Sequence, residues 1–246
     1  MLKRHFIHKL DNYQSHTPEE INILEKALSE PRRFGKGKDV IKQGDKPEQV
    51  YLLLDGWACR YKISPQGKLQ VLTYLIPGDF CNIHITLANQ IDYSIGVLAP
   101  STFASLSHER IYDIYDNHPG LARSLNWSAL IDISILQEWL VNLGSRPADQ
   151  RLAHLLCELL IRSRAAGLTD DHHFRLPVTQ THLGEAMGIT YVHTNRVMQK
   201  LRQERLITFA NKQLKIANWR RMKEYADFDP MYLHLERAVP ELEKDL

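Results

Sequence analysis

Gly44, Gly56, Gly67 and Gly78 stand 12, 11 and 11 residues apart, and this spacing constrains the N-terminal half of the chain more than any other feature. Glycine tolerates the positive φ that tight turns require, so glycines at this interval mark the ends of short strands. Between them lie strand-like runs at Asp39 to Lys42, Gln49 to Leu54, Trp57 to Ile63 and Leu69 to Ile76; weaker ones follow at Tyr93 to Leu98 and Thr102 to Leu106. Short strands with such regular turn signals predict an antiparallel sandwich or roll, closed at about eight strands. A roll of that size either holds a small ligand or fills its interior with its own side chains. Ahead of it, Thr17-Pro18-Glu19-Glu20 is a capped helix start, and Ile21, Leu24, Ala27 and Leu28 share one face, so a short amphipathic helix is expected there.

Beyond Ser107 the apolar period becomes helical. Glu109 to Asn117 predicts a short helix, and Pro119 starts a long one running to about Leu143. Along it Ala129, Ile133, Leu136, Leu140 and Leu143 keep the alternating four-three spacing of a coiled-coil seam, the expected dimerisation face. Leu121, Leu125, Ile135 and Trp139 form a second stripe suited to covering the roll; burial of both stripes within one subunit is the alternative. Gly144-Ser145-Arg146-Pro147 is expected to break the helix. The fold class is therefore α+β: a β-roll domain over 1–118, a dimerisation helix over 119–144, a further domain over 145–225 and an acidic tail over 226–246.

Val178 to Leu206 reads as two short helices joined by a tight turn. Thr179 caps the first, whose buried face is Leu183, Ala186 and Met187; Gly188 ends it, and Thr190 caps a second helix running to about Glu204. Thr194, Val197 and Leu201 form its inward stripe, which leaves Tyr191, Val192, Asn195, Arg196 and Gln199 facing outward. A helix pinned from behind and presenting polar groups with one long arginine suits the major groove of DNA. An ordinary αα-hairpin in a globular core is the alternative. Downstream, Leu206 to Phe209 and Gln213 to Ile216 flank Ala210-Asn211-Lys212, a β-hairpin wing that would place Lys212 near a phosphate backbone.

Charge supports the same region. The net charge is only +2, yet Arg146 to Tyr225 carries 14 Lys and Arg against 7 Asp and Glu, while Ala226 to Leu246 carries 2 against 6. A basic segment is what a phosphate-binding face requires, although solvated helices are basic too. Composition, at 43% hydrophobic and 24% charged, is that of an ordinary soluble chain, and Met1 to Leu10 lacks a signal-like apolar core, so a cytoplasmic protein with no membrane partner is expected. The cysteines Cys59, Cys81 and Cys157 form no Cys-x-x-Cys pair, and His172 and His173 beside Asp170 and Asp171 have no second ligand cluster; no metal or cofactor is implied. Cys59 and Cys81 are either inert buried thiols or a redox-responsive pair.

A β-roll, a long helix, a hinge and a winged helix-turn-helix in this order resemble the Crp/Fnr family of bacterial transcription regulators over nearly the full length. The residues that carry the resemblance are Gly78-Asp79-Phe80 at the roll, then Leu183-Gly184 with Gly188, and Asn195-Arg196-Val197 in the hairpin. The resemblance implies a homodimer that reads two half-sites of a palindrome, with Arg196 on guanine and Thr179, Thr190 and His193 near phosphates. Gln180, Lys200 and Lys212 complete the expected DNA contacts beside Tyr191, Val192, Asn195 and Gln199. It also implies RNA polymerase as a partner and a small-molecule effector, of unassigned identity, at the roll. The effector pocket would be Asn82, Ile83, Tyr93 and Ser94.

Two departures from the family limit the sensor. The cyclic-AMP receptor branch has a Gly-Glu pair and an Arg-Ser pair where this chain has Asn82-Ile83 and Tyr93-Ser94, which leaves a cyclic phosphate without its cation. The oxygen-sensing branch needs clustered N-terminal cysteines, and none precedes Cys59. Tyr191 and Val192 stand where the cyclic-AMP receptor carries charges, so a different half-site is expected; valine touches a thymine methyl but accepts no cytosine amino proton. No nucleophile elbow, P-loop or His-Glu-x-x-His occurs, which argues against an enzyme. The competing function is a ligand-binding signalling module whose hairpin docks a protein.

Overall fold

The computed structural model describes residues 4–86 and 90–235, so 236–246 of the expected acidic tail lie outside the described residues. The chain divides into two compact units, Met1–Ile133 and Ser134–Leu246.

The first unit opens with α1 (Arg4–Asp11), which the sequence reading missed, and α2 (Pro18–Ala27). The α2 start is the expected capping box: Thr17 Oγ1 accepts from Glu20 N–H at 3.2 Å, and the Glu20 carboxylate accepts from Thr17 N–H at 2.9 Å. Strands β1 (Arg32–Phe34), β2 (Asp39–Ile41), β3 (Gln49–Ile63), β4 (Leu69–Leu75) and β5 (Ser94–Ser107) follow, all antiparallel, in the order β1-β5-β3-β4 with β2 also on β5.

Five strands among the described residues replace the expected eight or so, for a local reason. Gly56, at φ +95°, does not turn the chain back but forms a bulge; a Cβ there would lie 2.5 Å from Pro100 O and 2.6 Å from Ser101 Cα. The two runs on either side of it therefore join into the 15-residue β3, and the runs around Pro100 join into β5. Gly78-Asp79-Phe80 docks α1. Asp79 accepts from Lys9 Nζ at 2.5 Å and from Ile76 N–H at 2.8 Å, and Phe80 meets Phe6 edge-on at 5.1 Å.

Ser107 caps α3 (His108–Asn117), and α4 (Pro119–Ser145) follows as one 27-residue helix. Gly144 is helical, so the break falls at Arg146-Pro147, where proline cannot continue the ladder. The second apolar stripe is buried: Leu121 and Leu125 enter the roll core, whereas Trp139 belongs to the second unit and donates through Nε1 to Glu158 at 2.9 Å. Only the first part of that stripe covers the roll. Ala129 of the expected seam is half-buried against the same core, while Leu130, Ile133, Leu136, Leu140 and Leu143 are exposed.

In the second unit α5 (Ala148–Ala165) is the central helix, buried from Leu152 to Ser163. Around it lie β6 (His173–Arg175), α6 (Gln180–Met187), α7 (Tyr191–Gln203), β7 (Ile207–Ala210), β8 (Gln213–Ile216) and α8 (Trp219–Ala226). Of these, β6 and α8 were not anticipated; β6 extends the wing to a three-stranded sheet ordered β6-β8-β7.

Candidate DNA-binding interface

The hairpin is built from its caps inward. Thr179 Oγ1 accepts from His182 N–H at 3.2 Å, and the helix it opens ends at Gly188, whose φ of +67° is the left-handed conformation that favours glycine. Thr190 Oγ1 then accepts from His193 N–H at 3.3 Å to open α7. Gly184 sets the approach of the two helices. A Cβ at that position would sit 2.7 Å from Ile189 O and 2.9 Å from Thr194 Oγ1, so the Leu183-Gly184 pairing is a packing requirement.

With α7 seated this way, Thr194, Val197, Met198 and Leu201 are buried, and Tyr191, Val192, His193, Arg196 and Gln199 are exposed. Among the described residues the Arg196 side chain shows no ion pair or hydrogen bond. The hollow beside α7 is lined by Ala148, Thr190, Val192, His193 and Arg196. Three of the expected contact residues are committed elsewhere. Asn195 is half-buried and donates through Nδ2 to Gln180 Oε1 at 2.9 Å, so these two tie α7 to the start of α6. Lys200 pairs with Asp149, which also accepts from the Tyr225 hydroxyl at 2.7 Å. Burial would raise the Asp149 carboxyl, but the bonds from Lys200 and Tyr225 outweigh it and hold it at about 2. Lys200 therefore presents less free positive charge than its exposure suggests.

The wing turn is Asn211-Lys212, with φ of +51° and +61°, between the paired residues Ala210 and Gln213. Two positive φ values in a two-residue loop define a type I′ turn, whose twist matches that of the strands. Lys212 stands exposed at its tip, and Arg175 and Lys215 are exposed on β6 and β8.

The expected effector residues are placed within the roll and are bonded there. Asn82 accepts from Tyr51 N–H at 2.8 Å and donates to Gln49 O at 2.9 Å; Ser94 accepts from Gln43 N–H at 3.0 Å; Tyr93 donates to Cys81 O at 3.2 Å; Ile83 is buried. The sequence reading missed Arg60, which is 4% exposed within the roll and pairs with Asp132 at 2.6 Å. The available signal was a lone charge after the apolar run Trp57-Ala58-Cys59. All three cysteines are buried, and burial pushes the Cys81 and Cys157 thiols far above their ordinary value, away from thiolate reactivity. Among the described residues no group of three His, Cys, Asp or Glu side chains is placed to hold a metal, and no helix is long and apolar enough to cross a membrane.

Two family models match this chain: a cyclic nucleotide-binding domain over residues 31–118 and a Crp-like helix-turn-helix domain over residues 150–225. The chain belongs to the Crp/Fnr family. Among its relatives, the transcriptional activatory protein AadR of Rhodopseudomonas palustris is 25% identical over 181 residues, covering 73% of this chain and 74% of that protein. The fumarate and nitrate reduction regulatory protein of Vibrio cholerae is 23% identical over 207 residues, covering 84% and 82%. FixK2 from Bradyrhizobium japonicum shares the fold at a TM-score of 0.72 and 17% identity, covering 80% of this chain and 96% of that one. As a Crp/Fnr regulator the protein is a DNA-binding regulator of transcription, and the hairpin is its DNA-binding module rather than a dock for a protein partner.

Proposed function

We propose that the protein works in the cytoplasm as a homodimer, laying one α7 in the major groove at each half-site of a palindrome and engaging RNA polymerase from there. The exposed face of α7 carries this reading: Tyr191, Val192 and Arg196 face outward from a helix whose back is fully packed. Arg196 is the residue for guanine, since a guanidinium can donate two parallel bonds to O6 and N7. Val192 and Tyr191 favour an apolar base edge such as a thymine methyl. Thr179, Thr190, His193 and Lys212 border the phosphates, Gln199 extends the groove-facing row, and Asn195, Gln180 and Lys200 position the helix. Dimerisation is supported by the exposed apolar row on α4, where Ile133 is 51%, Leu136 41%, Leu140 73% and Leu143 37% accessible. Relatives named as transcriptional activators support polymerase as the second partner.

Binding curves for Arg196→Ala on cognate and scrambled DNA test the base-reading role. We expect a loss of about 1–3 kcal/mol on cognate DNA and relaxed preference at one guanine. An equal shift on both DNAs would remove Arg196 from base reading.

A further inference from the structure

Arg60 stands on β3 opposite Ile95 and Thr73, in a strand whose neighbours Ala58 and Cys59 are buried. Its guanidinium joins three parts of the first unit. Nε donates to Cys81 O at 2.8 Å, and Nη2 donates both to Phe80 O at 2.8 Å and to Asp132 Oδ2 on α4 at 2.6 Å. The Tyr93 ring lies 5.7 Å from the guanidinium carbon. Burial alone would lower the affinity of Arg60 for its proton, but Asp132, together with Tyr93 and Cys81, more than reverses this, so the group stays charged.

A permanently charged, buried guanidinium requires an anion, because an unpaired charge in a low-dielectric interior is strongly unfavourable. Two of its contacts are neutral carbonyls, which accept hydrogen bonds without neutralising it. The carboxylate is supplied by the chain itself, from a side chain that is 19% exposed. The polar groups of Asn82, Tyr93 and Ser94 are already bonded to the backbone of the roll.

We propose that Asp132 is a resident ligand: the roll contains a carboxylate-binding site at Arg60, filled by α4, and this pairing fixes the helix on the roll without an external anionic effector. An outside anion would have to displace a carboxylate that is tethered and therefore present at high effective concentration.

The full-length Asp132→Ala variant tests this, with the isosteric Asp132→Asn, which removes the charge and keeps the shape, beside it. Both are expected to lower the Tm by at least about 5 °C and weaken DNA binding by about tenfold or more. In Asp132→Ala, formate should restore both readings where chloride at matched ionic strength does not, since formate replaces the missing carboxylate. Wild-type DNA affinity should change less than about twofold with cyclic AMP, cyclic di-GMP or inorganic phosphate. Wild-type behaviour in both variants, a defect that ignores formate, or wild-type affinity that rises with an added anion would each overturn the proposal. The DNA measurements rest on the DNA-binding reading; the thermal ones do not, so failure of one is distinguishable from failure of the other.

Discussion

His154 shows how much a single buried side chain can link stability to pH. It is fully buried on α5, with its ring stacked on Tyr232 at 5.9 Å and edge-on to Phe228 at 4.9 Å. Asn142 Nδ2 lies 3.0 Å from His154 Nδ1 and donates to it, which leaves the proton on Nε2. That atom is 3.2 Å from Glu138 Oε1 but not aligned for a hydrogen bond. Burial first, and then the Arg146 charge, lower its pKa from 6.5 to about 3, with Asp227 opposing. The folded state thus binds fewer protons than the unfolded one, and the contribution of His154 is fully present above 6.5 and lost as pH falls towards 3. We expect wild-type stability to fall more steeply than that of His154→Phe between pH 6.5 and 5, the difference in slope rising to about 1.4 kcal/mol per pH unit at the lower end, as read by urea denaturation. Parallel profiles would exclude this role. Nearby Glu158 is held by Trp139, Arg162 and Tyr232, yet burial still raises its carboxyl above the ordinary range.

At the scale of elements, α4 differs most from a simple reading of its periodicity. Both apolar stripes predicted along it exist, but they have different fates: Leu121, Leu125, Ile135 and Trp139 are covered, whereas Leu136, Leu140 and Leu143 remain in solvent. An apolar row left exposed over about two turns is a surface for association. Leu140→Glu should convert the protein to a monomer in sedimentation and abolish preference for a two-half-site palindrome over a single half-site. Its unfolding free energy under monomeric conditions should stay within about 0.5 kcal/mol, because the side chain is 73% exposed in the subunit. A variant that stays dimeric would move the interface elsewhere. The wing illustrates the opposite case. The sequence places the hairpin tip at Ala210-Asn211-Lys212; the structure narrows it to Asn211-Lys212, where asparagine tolerates the positive φ of a I′ turn and Lys212 adopts it although its side chain does not favour it.

For the whole molecule, the concentration of positive charge between Arg146 and Tyr225 makes the affinity for DNA a function of salt. The logarithm of the association constant should fall linearly with the logarithm of salt concentration, and Lys212→Ala should make that slope shallower by about 1 while leaving the sequence preference unchanged. A variant with the wild-type slope would take Lys212 off the phosphates. The α+β architecture, the winged hairpin and the outward set on α7, apart from the half-buried Asn195, were legible in the chain because caps, positive-φ glycines and a 3.6-residue period are written by neighbouring residues. Thr179, Gly188 and Thr190 act within one turn of where they stand. The joining of strand runs into β3 and β5 was not legible, since Gly56 is a bulge only because Pro100 and Ser101 lie against it. The pairing of Arg60 with Asp132, 72 residues away, and of Glu158 with Tyr232, 74 residues away, was equally hidden. Sequence shows that a charge falls in an apolar run; which distant group arrives to neutralise it depends on packing, because the cost of a buried charge is met only by the partner that tertiary structure brings within hydrogen-bond reach.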